Sequence, residues 1–573
     1  MRKKQMTALC LLVAGTLLTA CGSGGKSADK TAAAADSSAA VSAASESTSE
    51  TSGQTAQNAE MASSAVSGTA GVQDKKAVSG SQGISGETSG PTEEASILQL
   101  TGQYGYPVET DDDGVLLVHG SYMMPGLSDS EKENTEIDYA ALQKALADCG
   151  DSIKKRVEST VSDYAQDAKD TRETFGDGFS ALQETSTLDV CRADTRAVSL
   201  LETWDTYAGG AHPNYVYYSY NFDPKTGKAL QLSDVLTDTS SLPETIAAIL
   251  QKNYDPDAWI VDSLPDAIGK MIDGTKDASG EDFGSEMSWT LDSRGITFHF
   301  EPYALAAFAV GSQEALLPYD EYSDLFVPAY TGAPADYIRR LDTWQSVDIV
   351  KPDGSTAELS VYADTGEDDS KTFTVTLDDQ SVSSQYTGFD GVPWLMHTSG
   401  KNRLLLDLTL ESDWHEVVVF DLDSDQLQDG TMMDNAGLQA VPTDPQNFRM
   451  ESRCQLLSTY SADMRYRIGD DGMPEALDRF EEIPSREEMN RLTTKKEMTV
   501  DILQSAESDE TKEEKLPKGT ELQFYRTDGD SIVDMLLKDG RIVRFTLHME
   551  KYPYTLDSGE SVEDCFDGMM YAG

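Results

Sequence analysis

The sequence predicts an α+β N-terminal domain followed by β-rich domains, all behind a disordered N-terminal tether. Three observations support this fold class. Residues 97–335 alternate helix-type apolar spacings with runs of β-branched and aromatic residues. Beyond residue 342, short apolar runs are separated by Asp-Gly and Ser-Gly turns. Residues 21–96 are rich in Ser, Ala, Thr and Gly, and contain no aromatic residue and no leucine.

The N-terminus has the form of a bacterial lipoprotein signal peptide, predicted over residues 1–20. Arg2-Lys3-Lys4 precedes an apolar stretch from Met6 to Ala20, which is too short to cross the ~30 Å core of a bilayer. The stretch ends in Leu18-Thr19-Ala20-Cys21, which resembles a lipobox. We therefore expect a diacylglycerol on Cys21 and a protein anchored by lipid on the extracytoplasmic face of the cell membrane. The alternative is an ordinary secretory signal followed by an incidental cysteine.

Residues 21–96 and the net charge bound the function. The segment cannot bury enough apolar surface to offset the entropy cost of ordering it, so we predict a disordered tether with a span of roughly 50 Å. The chain of 573 residues carries a formal net charge of -55. This excludes a general nucleic-acid binder, because phosphate binding needs clustered Lys and Arg. The charge attracts cationic partners; acidity that serves only solubility is the alternative.

The α+β domain is predicted over residues 97–335, with helices packed on an antiparallel sheet. Apolar residues spaced by three, four and seven predict an amphipathic helix from Ile137 to about Lys169, with a break at Gly150 as one option. Pro243 begins a second helix, because its missing N–H costs nothing in the first turn. A third helix is predicted from Trp259 to Ile272. Strands are predicted at residues 98–104, 115–118, 188–191, 197–206, 216–222 and 230–232.

The remainder is predicted to be β-rich. Residues 342–485 hold six short strands, and they favour a sandwich or an open meander because a closed propeller needs more blades than the length allows. Residues 495–573 resemble a small SH3-like barrel. In that resemblance Leu516-Pro517-Lys518-Gly519-Thr520 introduces a strand and Asp539-Gly540 closes a hairpin.

Two ordered motifs carry a resemblance to a known family. Gly209-Gly210-Ala211-His212 precedes an aromatic strand, and Asn221-Phe222-Asp223 follows it and leads into Thr226-Gly227-Lys228. About a hundred residues later comes Ile296–Ala306, which contains Glu301-Pro302-Tyr303. The order of these motifs resembles the RsiV-like extracellular domain family, whose domain pair also precedes the deacetylase domain of PdaC.

The resemblance implies a ligand face and a kind of partner. The extracellular domain of RsiV binds lysozyme, which is a cationic protein. The residues that would lie on or near the corresponding face here are Gly209, Gly210, His212, Asn214, Pro302, Tyr303 and Phe308. For His212 a purely structural role, with the imidazole bonded to a backbone carbonyl, is the alternative.

The sequence offers no catalytic, cofactor-binding or metal-binding signature from which to predict an enzyme. The six histidines are scattered singly along the chain. After Cys10 and Cys21, four cysteines remain, and any of their three connectivities, or none, is open: Cys149, Cys191, Cys454 and Cys565.

We therefore expect a membrane-anchored extracytoplasmic lipoprotein that acts as a non-catalytic binding or sensing module. Its partner would be an envelope or host protein, for which a lysozyme-like protein is one candidate, or a cell-wall ligand. The alternatives are an accessory or catalytic part of a cell-wall hydrolase or deacetylase, and a structural lipoprotein whose SH3-like end holds a partner at the wall. The oligomeric state stays open.

Overall fold

The computed structural model describes most of the chain beyond the predicted tether. It covers residues 95–573 except 133, 135, 136, 210, 211, 275–286, 344, 345, 367–369, 384, 412, 413, 440, 485–490, 550, 572 and 573. The predicted signal peptide, Cys21 and the tether therefore lie outside the described residues. Within them, no helix is long and apolar enough to cross a membrane.

The first part of the fold is a six-stranded sheet with a long helix on one face. Its strand order is β1-β3-β4-β5-β6, with β2 paired to β3. The strands are β1 (Leu100–Gly105), β2 (Val108–Thr110), β3 (Leu116–Leu127), β4 (Leu182–Ala193), β5 (Val198–Tyr207) and β6 (Asn214–Phe222). The helices are α1 (Asp129–Lys132) and α2 (Ala140–Phe175), followed by a 3-10 turn at Gly176–Gly178.

The sheet is not purely antiparallel. Strands β3 and β4 run parallel, with Val118 opposite Leu182. A parallel pair needs a crossover connection, and α2 supplies it. The apolar side of α2 packs on the sheet through Leu146, Ile153 and Val157, which are fully buried. This confirms the α+β class for the N-terminal region.

Helix α2 runs through Gly150 without a break, so that option was wrong. A Cβ on Gly150 would lie 2.8 Å from Cβ of Met124 and 3.2 Å from its Cα. The missing side chain therefore allows α2 to approach β3 closely. Glycine here serves packing between two elements and does not interrupt the helix.

A smaller layer of helices and three strands follows. It consists of α3 (Leu232–Val235), α4 (Leu242–Asn253), α5 (Leu264–Ile272), β7 (Ser288–Leu291), β8 (Gly295–Phe300) and β9 (Gln313–Pro318). Strands β7, β8 and β9 form an antiparallel sheet in that order. Short 3-10 turns lie at Pro256–Ala258, Phe308–Val310 and Ser323–Leu325.

Two predictions in this layer were wrong. Residues 230–232 do not form a strand: only Ala229 bridges to Phe222. A helix begins at Leu232 instead, because the carboxylate of Asp234 accepts a hydrogen bond from the Gln231 N–H at 2.9 Å. The third helix begins at Leu264, not at Trp259, because the Ser263 side chain caps it by accepting from the Asp266 N–H.

Two five-stranded sheets then pack face to face as a sandwich. One has the order β10-β16-β17-β18-β19; the other has β11-β12-β13-β14, with β15 on β13. The strands are β10 (Tyr337–Arg340), β11 (Ser346–Val350), β12 (Thr356–Thr365), β13 (Lys371–Leu377), β14 (Gln380–Val382), β15 (Thr387–Gly388), β16 (Asp390–Thr398), β17 (Lys401–Thr409), β18 (His415–Asp421) and β19 (Thr431–Asp434).

The sheet formed by β10 and β16–β19, hereafter the inner sheet, is covered on both faces. Leu404 and Leu406 pack toward the other sandwich sheet, whereas Leu405 and Val417 pack toward β21 and its neighbours. A strand buried on both faces is apolar at consecutive positions. This explains the continuous run from Leu404 to Leu406.

The C-terminal part is a thirteen-stranded sheet. Its strands are β20 (Gly437–Leu438), β21 (Phe448–Cys454), β22 (Tyr460–Ile468), β23 (Pro474–Ala476), β24 (Glu481–Glu482), β25 (Arg491–Thr494), β26 (Met498–Leu503), β27 (Thr511–Leu516), β28 (Glu521–Thr527), β29 (Ile532–Leu536), β30 (Ile542–His548), β31 (Thr555–Leu556) and β32 (Phe566–Asp567), with α6 (Val562–Cys565) before the last strand. One apolar cluster joins Cys454 and Leu457 to Phe524 and Phe566. The resemblance to an SH3-like barrel stays a prediction.

The four cysteines of the described chain are all free thiols. Cys149, Cys454 and Cys565 are buried, and Cys191 is partly buried. Burial raises the pKa of Cys454 to about 12 and raises the pKa of the other three thiols as well. None of the connectivities left open by the sequence is formed in this structure.

Candidate functional site

Three aromatic side chains among the predicted contact residues meet in the structure. His212 lies in the β5–β6 loop, and Tyr303 and Phe308 lie in the β8–β9 connection. The ring of His212 stacks on that of Phe308, with centroids 3.7 Å apart and planes inclined by 17°. The ring centroid of Tyr303 is 5.9 Å from that of His212 and 5.7 Å from that of Phe308. We call these three residues the aromatic cluster.

Hydrogen bonds fix the tautomer of His212. Its Nδ1 is 2.9 Å from the carbonyl oxygen of Pro213, which can only accept, so Nδ1 carries the proton. In the neutral ring Nε2 is then an acceptor, and the hydroxyl of Tyr303 donates to it at 3.3 Å. The backbone bond considered as the structural role of His212 is therefore present, together with contacts to both aromatic partners.

Tyr303 is held in an unusual conformation. Its φ is 72°, in the left-handed region that side chains other than glycine rarely adopt. The turn is closed by its own N–H, which donates to the carbonyl of Ala306 at 3.0 Å. The side chain is nevertheless 55% exposed. A strained backbone therefore presents a large aromatic group to solvent here.

The other predicted contact residues take different places. Gly209 is exposed in the β5–β6 loop, and Gly210 lies outside the described residues. Asn214 is exposed at the start of β6, where its backbone pairs with Thr206. Pro302 lines a cavity next to Phe308. The structure thus brings His212, Pro302, Tyr303 and Phe308 together.

The cavity beside the aromatic cluster has a volume of about 410 Å³. Its lining includes residues from β4, β5, β6 and β9 and from the segment after β10. The ionisable carboxylates and the basic residue of the lining are Asp189, Asp205, Glu314, Asp342 and Arg340. We call this space the acidic cavity.

The charges in the acidic cavity do not balance. Arg340 pairs with Asp189, with Nη1 to Oδ1 at 3.0 Å. Burial raises the pKa of Asp205. Desolvation of the Asp342 carboxylate, together with Asp189 nearby, raises its pKa to about 6, although the residue as a whole is exposed. Asp205 and Asp342 are therefore left without a basic partner among the lining residues, whereas Glu314 is bonded to His299 behind the wall.

Asp205 shows this imbalance most directly. Its Oδ1 is buried and has no hydrogen-bond partner in the described part of the chain. A buried acceptor without a donor is costly, so native structures normally satisfy it. A cationic group entering the cavity would supply the missing donor and would lie beside the aromatic cluster, where cation–π attraction adds to it.

A chain of hydrogen bonds that the sequence did not predict supports one wall of the cavity. Thr290 Oγ1 lies 2.8 Å from His299 Nε2, and His299 Nδ1 lies 2.9 Å from Glu314 Oε1. Burial opposes the charge on Glu314, but the hydrogen bond from His299 and the nearby Arg339 and Arg294 guanidinium groups together outweigh it and hold the pKa of Glu314 below its usual range. Of the three residues in this chain of hydrogen bonds, only His299 belongs to a motif that the sequence analysis singled out.

The hydrogen bonds of Thr290, His299 and Glu314 have the connectivity of a hydroxyl–histidine–carboxylate triad. Its orientation is the reverse of what nucleophilic catalysis needs, because Thr290 is 2% exposed and does not line the cavity, whereas Glu314 does. The arrangement therefore orients a charged carboxylate toward the cavity. In the described residues, no group of three or more His, Cys, Asp or Glu side chains is placed to hold a metal ion.

A comparison with known protein families finds a match that includes some of the residues of this site. Residues 233–320 match the family model described as a protein of unknown function, DUF3298. A DUF3298 domain is therefore present, and it runs from within α3 to just beyond β9. It contributes Pro302, Tyr303, Phe308 and Glu314 to the site, and the preceding sheet contributes His212.

Two solved structures of DUF3298 proteins are similar to part of this chain. A DUF3298 member from Bacteroides fragilis NCTC 9343 is 16% identical over 41% of this chain and 96% of that chain, with a TM-score of 0.28. A DUF3298 family protein from Pseudomonas aeruginosa PAO1 is 14% identical with the same coverage and a TM-score of 0.25. No curated protein matches the chain.

Proposed function

We propose that this protein is a binding module for a cationic protein, and that a basic side chain of the partner enters the acidic cavity beside the aromatic cluster. The observation that carries the proposal is the buried Oδ1 of Asp205, which lacks a donor in the described part of the chain and lies in a cavity lined by four carboxylates and one arginine. A Lys or Arg side chain supplies both the charge and the N–H donors that this arrangement needs.

The free protein sustains a cost that such a partner would remove. Like charges held close together raise one another's pKa and destabilise the fold unless a cation compensates them. The net charge of -55 adds a long-range attraction for a basic partner and increases its association rate. Both effects favour the same class of ligand.

The resemblance to the RsiV-like family points in the same direction. Its known lysozyme binding concerns a basic extracellular protein, and the motifs of the resemblance supply His212 and Tyr303 to the site. We further propose that Cys21 carries a lipid anchor and that residues 21–96 form a tether, so that the module reaches partners outside the membrane. Sensing of a host or envelope protein is the role that fits this placement.

Titration calorimetry with lysozyme tests the proposal. Binding is expected at low ionic strength and should weaken steeply as salt is raised. The double variant Asp205→Asn with Asp342→Asn should lower the affinity by about tenfold or more, because it removes two carboxylates from the cavity.

Asp348→Asn provides the matched control. Asp348 is exposed on β11, in the sandwich sheet formed by β11–β15, which we call the outer sheet. Its replacement therefore changes the net charge without altering the lining of the acidic cavity. An Asp348→Asn variant that weakens binding as much per charge as the double variant would show that only overall charge matters. If the wild-type protein did not bind lysozyme at low salt, the proposal of a lysozyme-like basic protein as the partner would be overturned.

The anchor is tested separately. Mass spectrometry of the processed protein should find an acylated Cys21 at its N-terminus. A Cys21→Ala variant should lose membrane association and keep lysozyme binding in solution. An N-terminal residue other than Cys21, or one without acyl chains, would contradict the anchor and leave the binding site unaffected.

A further inference from the structure

A second and larger space lies on another side of β4. It is a groove of about 720 Å³, within the ~300–1,000 Å³ range typical of small-ligand sites. One wall comes from β1, β3 and β4 of the six-stranded sheet, and the other comes from β16, β17 and the strands around β21. We call it the tyrosine groove.

The tyrosine groove exposes aromatic rings. Tyr104 and Tyr106 are 49% and 70% exposed, and their rings lie nearly parallel, with planes inclined by 12° and centroids 6.3 Å apart. Trp394 on the opposite wall is partly buried. Aromatic rings that a soluble protein leaves open in a concave site indicate binding of a ligand with an apolar surface.

The groove also offers polar groups that the protein does not use. Six of its lining side chains make no hydrogen bond in the described part of the chain: Tyr104, Tyr106, Ser121, Thr187, Trp394 and Gln439. They include hydroxyls that both donate and accept, an amide and an indole N–H. Uncommitted groups of this kind match a ligand that is itself rich in hydroxyls.

The charges of the groove exclude an anionic ligand. Arg340 is the basic residue of the lining, and Asp189 already neutralises it at 3.0 Å. Asp407 and Glu451 add negative charge. A phosphate or carboxylate ligand would meet repulsion and no available cation.

We propose that the tyrosine groove binds an uncharged carbohydrate chain. The apolar C–H face of a pyranose ring packs flat on a tyrosine or tryptophan ring, while its hydroxyls exchange hydrogen bonds with neutral side chains. The parallel rings of Tyr104 and Tyr106 and the uncommitted polar groups supply both elements in one groove. This site goes beyond the binding of a cationic protein and uses a different cavity.

The two cavities are neighbours. Thr187, Asp189 and Arg340 line both the tyrosine groove and the acidic cavity. The test therefore replaces residues that belong to the groove alone.

The experiment titrates the full processed protein with chitotetraose, cellotetraose and maltotetraose by calorimetry and by saturation-transfer NMR. At least one oligosaccharide is expected to bind. Tyr106→Ala should lower its affinity on the order of tenfold, because one stacking contact is lost. Tyr104→Ala should have an effect of similar size.

Tyr552→Ala is the matched control, because Tyr552 is 66% exposed and lies outside the groove. It should leave the affinity unchanged, and circular dichroism should show all three variants folded. Three results would overturn the proposal: no oligosaccharide binds, the Tyr106→Ala and Tyr552→Ala variants lose affinity equally, or a tetralysine peptide binds in a Tyr106-dependent manner in place of the sugars. Retained lysozyme binding in Tyr106→Ala separates this outcome from the proposed function.

Discussion

The inner sheet of the sandwich and the six-stranded sheet bury side chains of different chemistry. In the inner sheet Leu404, Leu405 and Leu406 are all fully buried between apolar layers. On β4 and β5 of the six-stranded sheet the fully buried residues include two glutamates, Glu184 and Glu202. An apolar interior contributes stability and little else, whereas buried carboxylates cost stability unless they are paired.

The two glutamates differ from each other in this respect. Glu202 pairs with Arg156 and accepts hydrogen bonds from Ser186 and Tyr220 at 2.7 Å each. Glu184 accepts from Trp204 Nε1 at 3.0 Å and from Thr206 at 3.1 Å, but it forms no ion pair with a basic side chain in the described part of the chain. Along β4 and β5 they alternate with Thr185 and Asp205, which line the acidic cavity, so the two glutamates lie on the opposite face of the sheet. The comparison teaches that the six-stranded sheet buries carboxylates completely, whereas the buried charged residues Arg403 and Asp407 of the inner sheet each keep 8% exposure.

The largest effect is expected in the inner sheet. Leu406→Ala should lower the free energy of unfolding by about 2–5 kcal/mol, because it removes buried methyl groups and leaves a cavity. Chemical unfolding followed by tryptophan fluorescence measures the loss. Val350→Ala, at a residue that is 60% exposed on the outer sheet, should change stability by less than about 0.5 kcal/mol. Equal effects of the two variants would contradict the apolar account of the inner sheet.

The next effect distinguishes the two buried glutamates by pH. Burial raises the pKa of Glu184 from 4.5 to about 7. The folded state therefore holds this proton more tightly than the unfolded state. Its stabilising contribution is complete below about pH 4.5 and is lost as pH rises toward 7, a change of roughly 3 kcal/mol.

Glu184→Gln should remove that pH dependence and make the protein more stable than wild type at pH 8. Glu202→Gln should have the opposite effect at pH 8, because it leaves the partly buried Arg156 without its anionic partner. Thermal unfolding from pH 4 to 8 measures both variants. A pH profile of Glu184→Gln that parallels the wild type would disprove the assignment of the slope to this carboxyl.

A smaller effect concerns the helix that covers the six-stranded sheet. Gly150→Ala gains about 1 kcal/mol of helix propensity, but the new Cβ would lie 2.8 Å from Met124, and overpacking costs about 1–3 kcal/mol. We expect a net loss of about 1 kcal/mol in unfolding free energy.

Gly269→Ala in α5 is the control for that prediction. A Cβ there would lie 3.6 Å from the nearest atom of Pro243, which is an ordinary contact. This variant should gain about 0.5–1 kcal/mol from helix propensity alone. If Gly150→Ala also gained stability, close approach of α2 to β3 would not be the reason for the glycine.

The smallest effect lies at the acidic cavity itself. Asp205→Asn should raise the free energy of unfolding at neutral pH by less than about 1 kcal/mol, because it removes a partly buried charge whose pKa is raised. The same substitution should weaken binding of a cationic partner. Differential scanning calorimetry and binding titration check the two parts, with Asp348→Asn expected to change neither. A destabilised Asp205→Asn variant would show that the carboxylate has a partner in solution.

Much of the fold follows from local sequence patterns. Strands β5 and β6 were located because β-branched and aromatic residues define them locally, and the length of α2 follows from its apolar spacing. The start of α5 was missed because the capping by Ser263 outweighs the apolar pattern that begins at Trp259. The role of Gly150 was missed because it depends on Met124, which is distant in sequence.

The candidate site was only partly predictable. The resemblance of two motifs selected His212, Tyr303 and Phe308, and the structure places them in contact. Sequence could not indicate that Asp205, Glu314 and Asp342 would line one cavity, because they come from different strands and an interdomain segment. Nor could it indicate the tyrosine groove, whose two walls are separated by more than two hundred residues.

The ion pair of Arg340 and Asp189 lines both spaces, and this has a thermodynamic consequence. Any occupant that displaces or reorients the pair from one side alters the free energy of occupation on the other. By reciprocity, a sugar that changes the affinity for a basic protein by some factor must have its own affinity changed by that same factor. A single guanidinium–carboxylate pair would thus let the carbohydrate chain and the basic protein partner regulate each other's binding affinity.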